Sequence, residues 1–269
     1  MKALKDILVE KLSLDDINFD TLSDELKVKY NLVYNPITNC YDCEHYIKVQ
    51  DDLIEDGNFI CDFGIVKGNF DCDYCISLKS LKGAPKIVGG NFNCSRCNKL
   101  KSLEGAPEEV GKNFICIDCK NLETLEGASK KVSGEFNCQK CNKLKSLEGA
   151  PEEVGESFIC AGCDNLKTLK GAPEKLSGSF YCNYCENLES LEGATKKVDG
   201  NFECTNCNTL KTLEGAPKYI GGDFICAYCN NLESLKGAPK EVSKNFWCKK
   251  CKNLKDYTID TKIGRKFIK

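Results

Sequence analysis

The sequence predicts an α/β-type solenoid dominated by short parallel β-strands and coil, with a small helical cap at its N-terminal end. Three observations carry this expectation. From Phe70 onward a phenylalanine recurs every 22 residues, through Phe92 and Phe114 to Phe246, nine times without a slip. Each is followed at fixed offsets by two cysteines, as in Cys94 and Cys97, and these nine pairs account for eighteen of the 21 cysteines. A Gly-Ala bend, usually followed by proline, closes the unit, as at Gly105, Ala106 and Pro107. A fixed period of this length marks a stacked array whose units bury their apolar sides against one another.

Residues 1–34 read as the helical cap. Leu4, Ile7, Leu8 and Leu12 fall at helical spacing, and the pairs Ser13/Asp16 and Thr21/Asp24 have the spacing of N-cap residues with acidic N3 partners. Residues 35–65 form a transition and an imperfect first repeat, in which Phe59 matches the strand phenylalanine. The nine-strand solenoid spans residues 66–256. Within each unit Phe92, Asn93 and Cys94 alternate apolar, polar, apolar, the period of a strand buried on one face. Gly105 and Pro107 then interrupt regular structure, and the stretch from Leu100 to the next strand is too short for a long helix. Each unit is therefore one strand and a compact return coil, stacked about 4.8 Å from the next. Ser129 and Thr195 replace the proline while Gly127 and Gly193 persist, so the bend demands glycine more than proline. Residues 257–269, with Tyr257, Ile259, Ile263, Phe267 and Ile268, read as a C-terminal cap carrying a final strand and an apolar lid.

In the pattern L-x-x-L-x-L-x-x-[N/C]-x-L, Phe92 takes the second leucine, Cys94 the third and Cys97 the Asn-or-Cys position. On these residues the array, over 66–256, resembles the leucine-rich repeat family, as a cysteine-bearing variant of the short bacterial or phage-type repeats. Two features depart from the pattern. Val88 lies four residues before Phe92, where the family has three, and Leu100 comes one place late. The resemblance implies a curved solenoid whose parallel sheet lines a concave face used to bind another macromolecule.

Three roles compete for the paired cysteines. Strand alternation places Cys94 on the side of Phe92, so the simplest is that they are small apolar fillers. Stacked pairs such as Cys94, Cys97, Cys116 and Cys119 also give the ligand count of a tetrahedral zinc or iron-sulfur site. Against this, sulfur ligands of one metal sit under about 4 Å apart, closer than the strand spacing, and nine pairs do not divide into four-cysteine sites. Redox chemistry is the third, but a reactive pair normally opens a helix rather than ending a strand. Apart from the array, Cys40, Cys43, His45 and Cys61 together supply four candidate zinc ligands, set against ordinary packing in the transition segment.

The 38 Lys and Arg against 40 Asp and Glu leave a formal net charge of -2, with no basic block suited to nucleic acid or an anionic membrane. Charges interrupt every apolar run of residues 1–12, which lack the h-region of a signal peptide, so a cytoplasmic location is expected. With a single histidine and no phosphate-binding glycine loop before a helix, catalysis is not expected. Expected instead is a non-catalytic scaffold, without cofactor, that recognises a protein through the concave sheet face; the alternative is a metal-binding or iron-sulfur solenoid. The residues between Phe and the first Cys point outward, and Ile115, Ile159, Tyr181, Ile225 and Trp247 there, with Tyr184 and Tyr228 in the neighbouring turn column, are the candidate partner-binding residues.

Overall fold

Each 22-residue unit holds two strands, not one. The structure is a computed structural model and describes residues 20–269, so Leu4, Ile7, Leu8, Leu12, Ser13 and Asp16 lie outside the described residues. In a representative unit the first strand is Ile87–Val88 and the second Phe92–Asn93. Glycines at 89 and 90 turn the chain between them. Val88 and Phe92 are both fully buried, so the four-residue interval that departs from the leucine-rich pattern is a corner between two sheets.

The phenylalanine strands build one parallel sheet of eleven strands, in register from Ile47–Lys48 through Phe70–Asp71 to Phe267–Ile268. The valine strands build a second. This sheet runs unbroken to Lys175–Leu176 and resumes at Lys197–Val198, the interruption falling beside Leu176, where the equivalent positions of the repeats hold Val or Ile. A third row of inter-coil bonds follows the return segment, as in Leu103 N–H to Glu126 O (2.9 Å) and Leu147 N–H to Lys170 O (2.8 Å). Backbone groups are thus satisfied from coil to coil on all sides, as a stacked chain without helices requires.

This architecture is a nearly all-β parallel solenoid, and it corrects the expectation of an α/β-type, leucine-rich-repeat-like array. The return half of each unit is not coil alone but a second parallel sheet. Among the described residues helix is confined to α1 (Asp24–Tyr30) and one 3-10 turn at Asp51–Leu53. Ser23 caps α1 by accepting from Leu26 N–H, and Asn31 ends it in the left-handed conformation, so the cap starts one residue before Asp24 rather than at Thr21.

Val88, Phe92, Cys94, Cys97, Leu100 and Leu103 fill one layer of the core, each fully buried. Phenylalanine rings stack on their counterparts at centroid separations of 4.9 to 5.9 Å, from Phe70 to Phe246. Phe267 continues the stack edge-on at 5.3 Å, and Lys262–Ile263 with Phe267–Ile268 extends both sheets by a further coil.

At the other end the seats are filled differently. Ile47 pairs with Phe70 and takes the phenylalanine seat, while Cys43 pairs with Val66 in the valine column. Phe59 instead sits in a short antiparallel hairpin, Ile54–Glu55 with Asn58–Phe59, packed edge-on to Phe63 and Phe70. The valine sheet is closed by β1 (Leu32–Asn35), which runs antiparallel to β2 (Cys40–Cys43) and ends the parallel ladder. Tyr41 ties residues 20–22 to this edge, its hydroxyl accepting from Thr21 and Leu22 N–H and donating to Asp20.

Candidate functional site

All 21 cysteines are buried free thiols. From Cys97 onward the second cysteine of each pair has a definite task. Cys97 Sγ donates to the carbonyl of Cys72 in the preceding coil at 3.1 Å, Cys119 to that of Cys94 at 3.2 Å, and the same contact recurs up to Cys251 on Cys226 at 3.2 Å. The first cysteine is the last inward residue before the turn, and its carbonyl meets the thiol two corners away. Packing and polar satisfaction therefore come from one small side chain.

Burial pushes Cys75 and Cys248 up to about 12, and burial with the neighbouring thiols raises Cys160, Cys182 and Cys226 as well. Cys119 and Cys229 are the exceptions, drawn down by hydrogen bonds with the neighbouring thiols of Cys141 and Cys204, yet both are fully buried. Inward, buried thiols are the opposite of the exposed thiolates that redox chemistry uses.

The reading of the stacked Cys pairs as a metal array is corrected by the same geometry. Among the described residues no group of three or more His, Cys, Asp or Glu side chains is placed to hold a metal ion. Cys40 and Cys43 lie three positions apart on one strand, where alternation sends them to opposite sides. Cys40 Sγ donates to Thr38 O (3.3 Å) and Cys43 Sγ to Tyr30 O (3.5 Å). His45 is exposed and touches Cys43 only through its backbone N–H, while burial holds Cys61 up at about 12. Of the four candidate zinc ligands, two thiols are thus occupied by backbone carbonyls, and no three come together among the described residues.

Outside the core, the three sides of the coil differ in chemistry. Beyond the valine strands the outward column begins with exposed Ile65 and Ile87, includes exposed Tyr219, and between them alternates in charge through Glu109, Lys131, Glu153 and Lys175; Lys131 pairs with Glu153 at 3.7 Å, Glu153 also with Lys175, and Lys262 with Glu241 at 3.2 Å. The return side repeats the scheme, with Lys170–Glu148 at 2.9 Å and Lys236–Glu214 at 2.8 Å.

Beyond the phenylalanine strands the register lines up Asn93, Ile115, Asn137, Ile159, Tyr181, Glu203, Ile225 and Trp247. Ile115, Ile159, Tyr181, Ile225 and Trp247 are half-buried, each leaning on its neighbours in the column. The residues that stand clear belong to the turn column beside them. Tyr74, Tyr184 and Tyr228 are 65%, 59% and 38% exposed and occupy left-handed backbone at φ 68°, 60° and 58°. The seven candidate partner-binding residues therefore form two parallel rows on one face, one row half-sunk and one projecting.

Two features of this face carry no sequence signal of their own. Along the corner before most of the phenylalanines a polar side chain accepts the next coil's amide, as Asn69 Oδ1 from Asn91 N–H (2.8 Å) and Asp223 Oδ1 from Asn245 N–H (2.8 Å). The residues on this corner are Asn, Asp, Glu and Ser, which read as ordinary turn composition until the register is known. Cations also lie over the projecting rings, Arg96 over Tyr74 at 4.9 Å and Lys250 over Tyr228 at 5.1 Å.

A parallel β-solenoid of this kind offers extended lateral surfaces compatible with protein–protein interaction in general. Compared with known proteins, the chain matches no family model, no curated protein and no solved structure. Among the described residues no helix is long and apolar enough to cross a membrane.

Proposed function

We propose that the chain is a non-catalytic scaffold that recognises a protein through the outer face of its phenylalanine sheet. The supporting observation is the contrast between sides of one coil. Apart from exposed Ile65, Ile87 and Tyr219, the valine and return sides carry charges, many of them paired along the ladder, whereas the phenylalanine side carries a longer apolar series, Ile115, Ile159, Tyr181, Ile225 and Trp247, beside projecting Tyr184 and Tyr228. Aromatic anchors set among polar groups are the composition of interaction hot spots, and a rigid ladder presents them without an ordering cost.

The experiment compares capture of binding proteins by the unmodified chain, by a Tyr181→Ala/Ile225→Ala/Trp247→Ala variant, and by a Glu153→Lys/Lys175→Glu variant that swaps one valine-side pair. Circular dichroism checks that each retains its fold. Loss of the same captured proteins with the first variant and retention with the second is expected. Equal capture by the first variant would overturn the assignment of this face.

A further inference from the structure

The charges of the phenylalanine side are not balanced evenly along the solenoid. Near the first coils they neutralise one another: Arg96 pairs with Asp73 at 2.7 Å and Lys48 with Asp71 at 3.0 Å. From Trp247 to Lys269 the chain carries eight lysines and arginines against two aspartates, although the whole protein is at -2. On the phenylalanine side of this pole Lys249 and Lys250 have no acidic partner within ion-pair distance among the described residues. Lys249 lies over the Trp247 ring at 5.4 Å and Lys250 over the Tyr228 ring at 5.1 Å.

Trp247 adds an independent observation. Its indole Nε1–H is the one buried side-chain donor without a hydrogen-bond partner among the described residues. Leaving such a donor unpaired is costly, so an acceptor brought to it is rewarded. Cations over aromatic rings are held weakly at exposed sites and yield readily to a carboxylate.

We propose that the pole formed by Ile225, Tyr228, Trp247, Lys249 and Lys250 docks an acidic peptide segment of the partner, carrying an apolar or aromatic side chain between its carboxylates. The carboxylates draw the two ammonium groups off the rings. The uncovered Tyr228 and Trp247 faces then receive the apolar side chain, and the Trp247 Nε1–H gains an acceptor. The proposal rests on the assignment of this face as the binding side and specifies the partner's chemistry there. Charges of both signs are interspersed over the remainder of the face, as at Asp73, Arg96, Asp118 and Lys140, which leaves this pole as the place where acidic partner charge is read.

The test is selection of peptides on the full chain from a displayed random library, followed by titration of the selected peptides. Trp247 is the sole tryptophan, so its fluorescence reports binding at the pole directly. Expected are peptides of net negative charge with at least one apolar anchor, a saturable change in Trp247 emission, and affinity that falls between about 50 and 300 mM salt. Lys249→Glu/Lys250→Glu weakens binding about tenfold or more, since reversed charges face the carboxylates. Tyr228→Gly provides a second variant in a backbone that already suits glycine, and it too weakens binding.

Selected peptides that are neutral or basic, absence of any enrichment, or affinity unchanged in both variants would overturn the proposal. So would a single-stranded RNA that moves Trp247 emission at lower concentration than the selected peptides. Those results leave capture by the wider face measurable separately, through an Ile115→Ala/Ile159→Ala/Tyr181→Ala variant whose residues lie on the same column outside the pole.

Discussion

Nine corners after the phenylalanine strands share a left-handed backbone, yet glycine occupies only one, Gly162. A side chain there costs roughly 1–2 kcal/mol relative to glycine. Space is not the obstacle, because a Cβ added at Gly162 meets nothing nearer than Lys140 Cγ at 3.5 Å. Tyr184, 59% exposed, therefore carries backbone strain without burying its ring. Tyr184→Gly is expected to raise the melting temperature by about 2–4 °C, measured by thermal unfolding, as relief of about 1 kcal/mol does in a chain of this size. A fall in melting temperature would show that the ring contributes packing. The sequence displayed this column as variable, but Tyr, Arg, Asp and Lys do not announce a left-handed turn, so its geometry was hidden. Likewise it marked the cysteines as inward and small. Their hydrogen bonds were out of reach because the acceptor of Cys97 is Cys72, 25 positions away and set by register alone.

At the scale of the element, the period, the inward phenylalanine and the glycine bend were legible, since each repeats visibly within the chain. The second strand was not. Two residues, such as Ile87–Val88, are too few for alternation to show, and the strand exists because its counterparts Glu109–Val110 and Lys131–Val132 pair with it in series. Phe59 misled for the opposite reason, matching the motif locally while Ile47 holds the seat. The bend itself divides into a strict and a lenient position. A Cβ at Gly149, at φ 87°, would stand 2.2 Å from Glu126 N and 2.5 Å from Leu125 C, both backbone of the preceding coil. Where proline is missing, by contrast, buried Ser129 and Thr195 donate their hydroxyls to Pro107 O and Pro173 O one coil back. Pro151→Ser is thus expected to cost under about 1 kcal/mol, in line with a change acting mainly on the unfolded chain. Gly149→Ala has to displace backbone and is expected to cost at least about 3 kcal/mol by denaturant unfolding. Equal costs would refute this division of the bend.

For the whole molecule, stacking makes the thiols a collective property. Nine successive coils each contribute a buried pair, and the layers are coupled only through neighbours, so what weakens one layer weakens the continuity of the stack. Burial holds Cys61, Cys75 and Cys248 up at about 12 and Cys251 at about 11. A thiol in the unfolded chain titrates near about 8.5. Below that pH both states keep the proton and stability is indifferent to it. Between about 8.5 and the folded values the unfolded chain releases protons that the folded chain retains. The unfolded state then binds fewer protons, and stability falls as pH rises, by about 1.4 kcal/mol per pH unit for each such thiol. Urea midpoints are therefore expected to be flat from pH 7 to 8 and to drop steeply from pH 9 upward. Lysines and tyrosines also titrate in this range, so the thiol share is isolated with Cys248→Ala/Cys251→Ala, which removes two of them from the last full layer. A shallower alkaline slope in that variant is expected, and an unchanged slope would show that the fall comes from the surface charges instead.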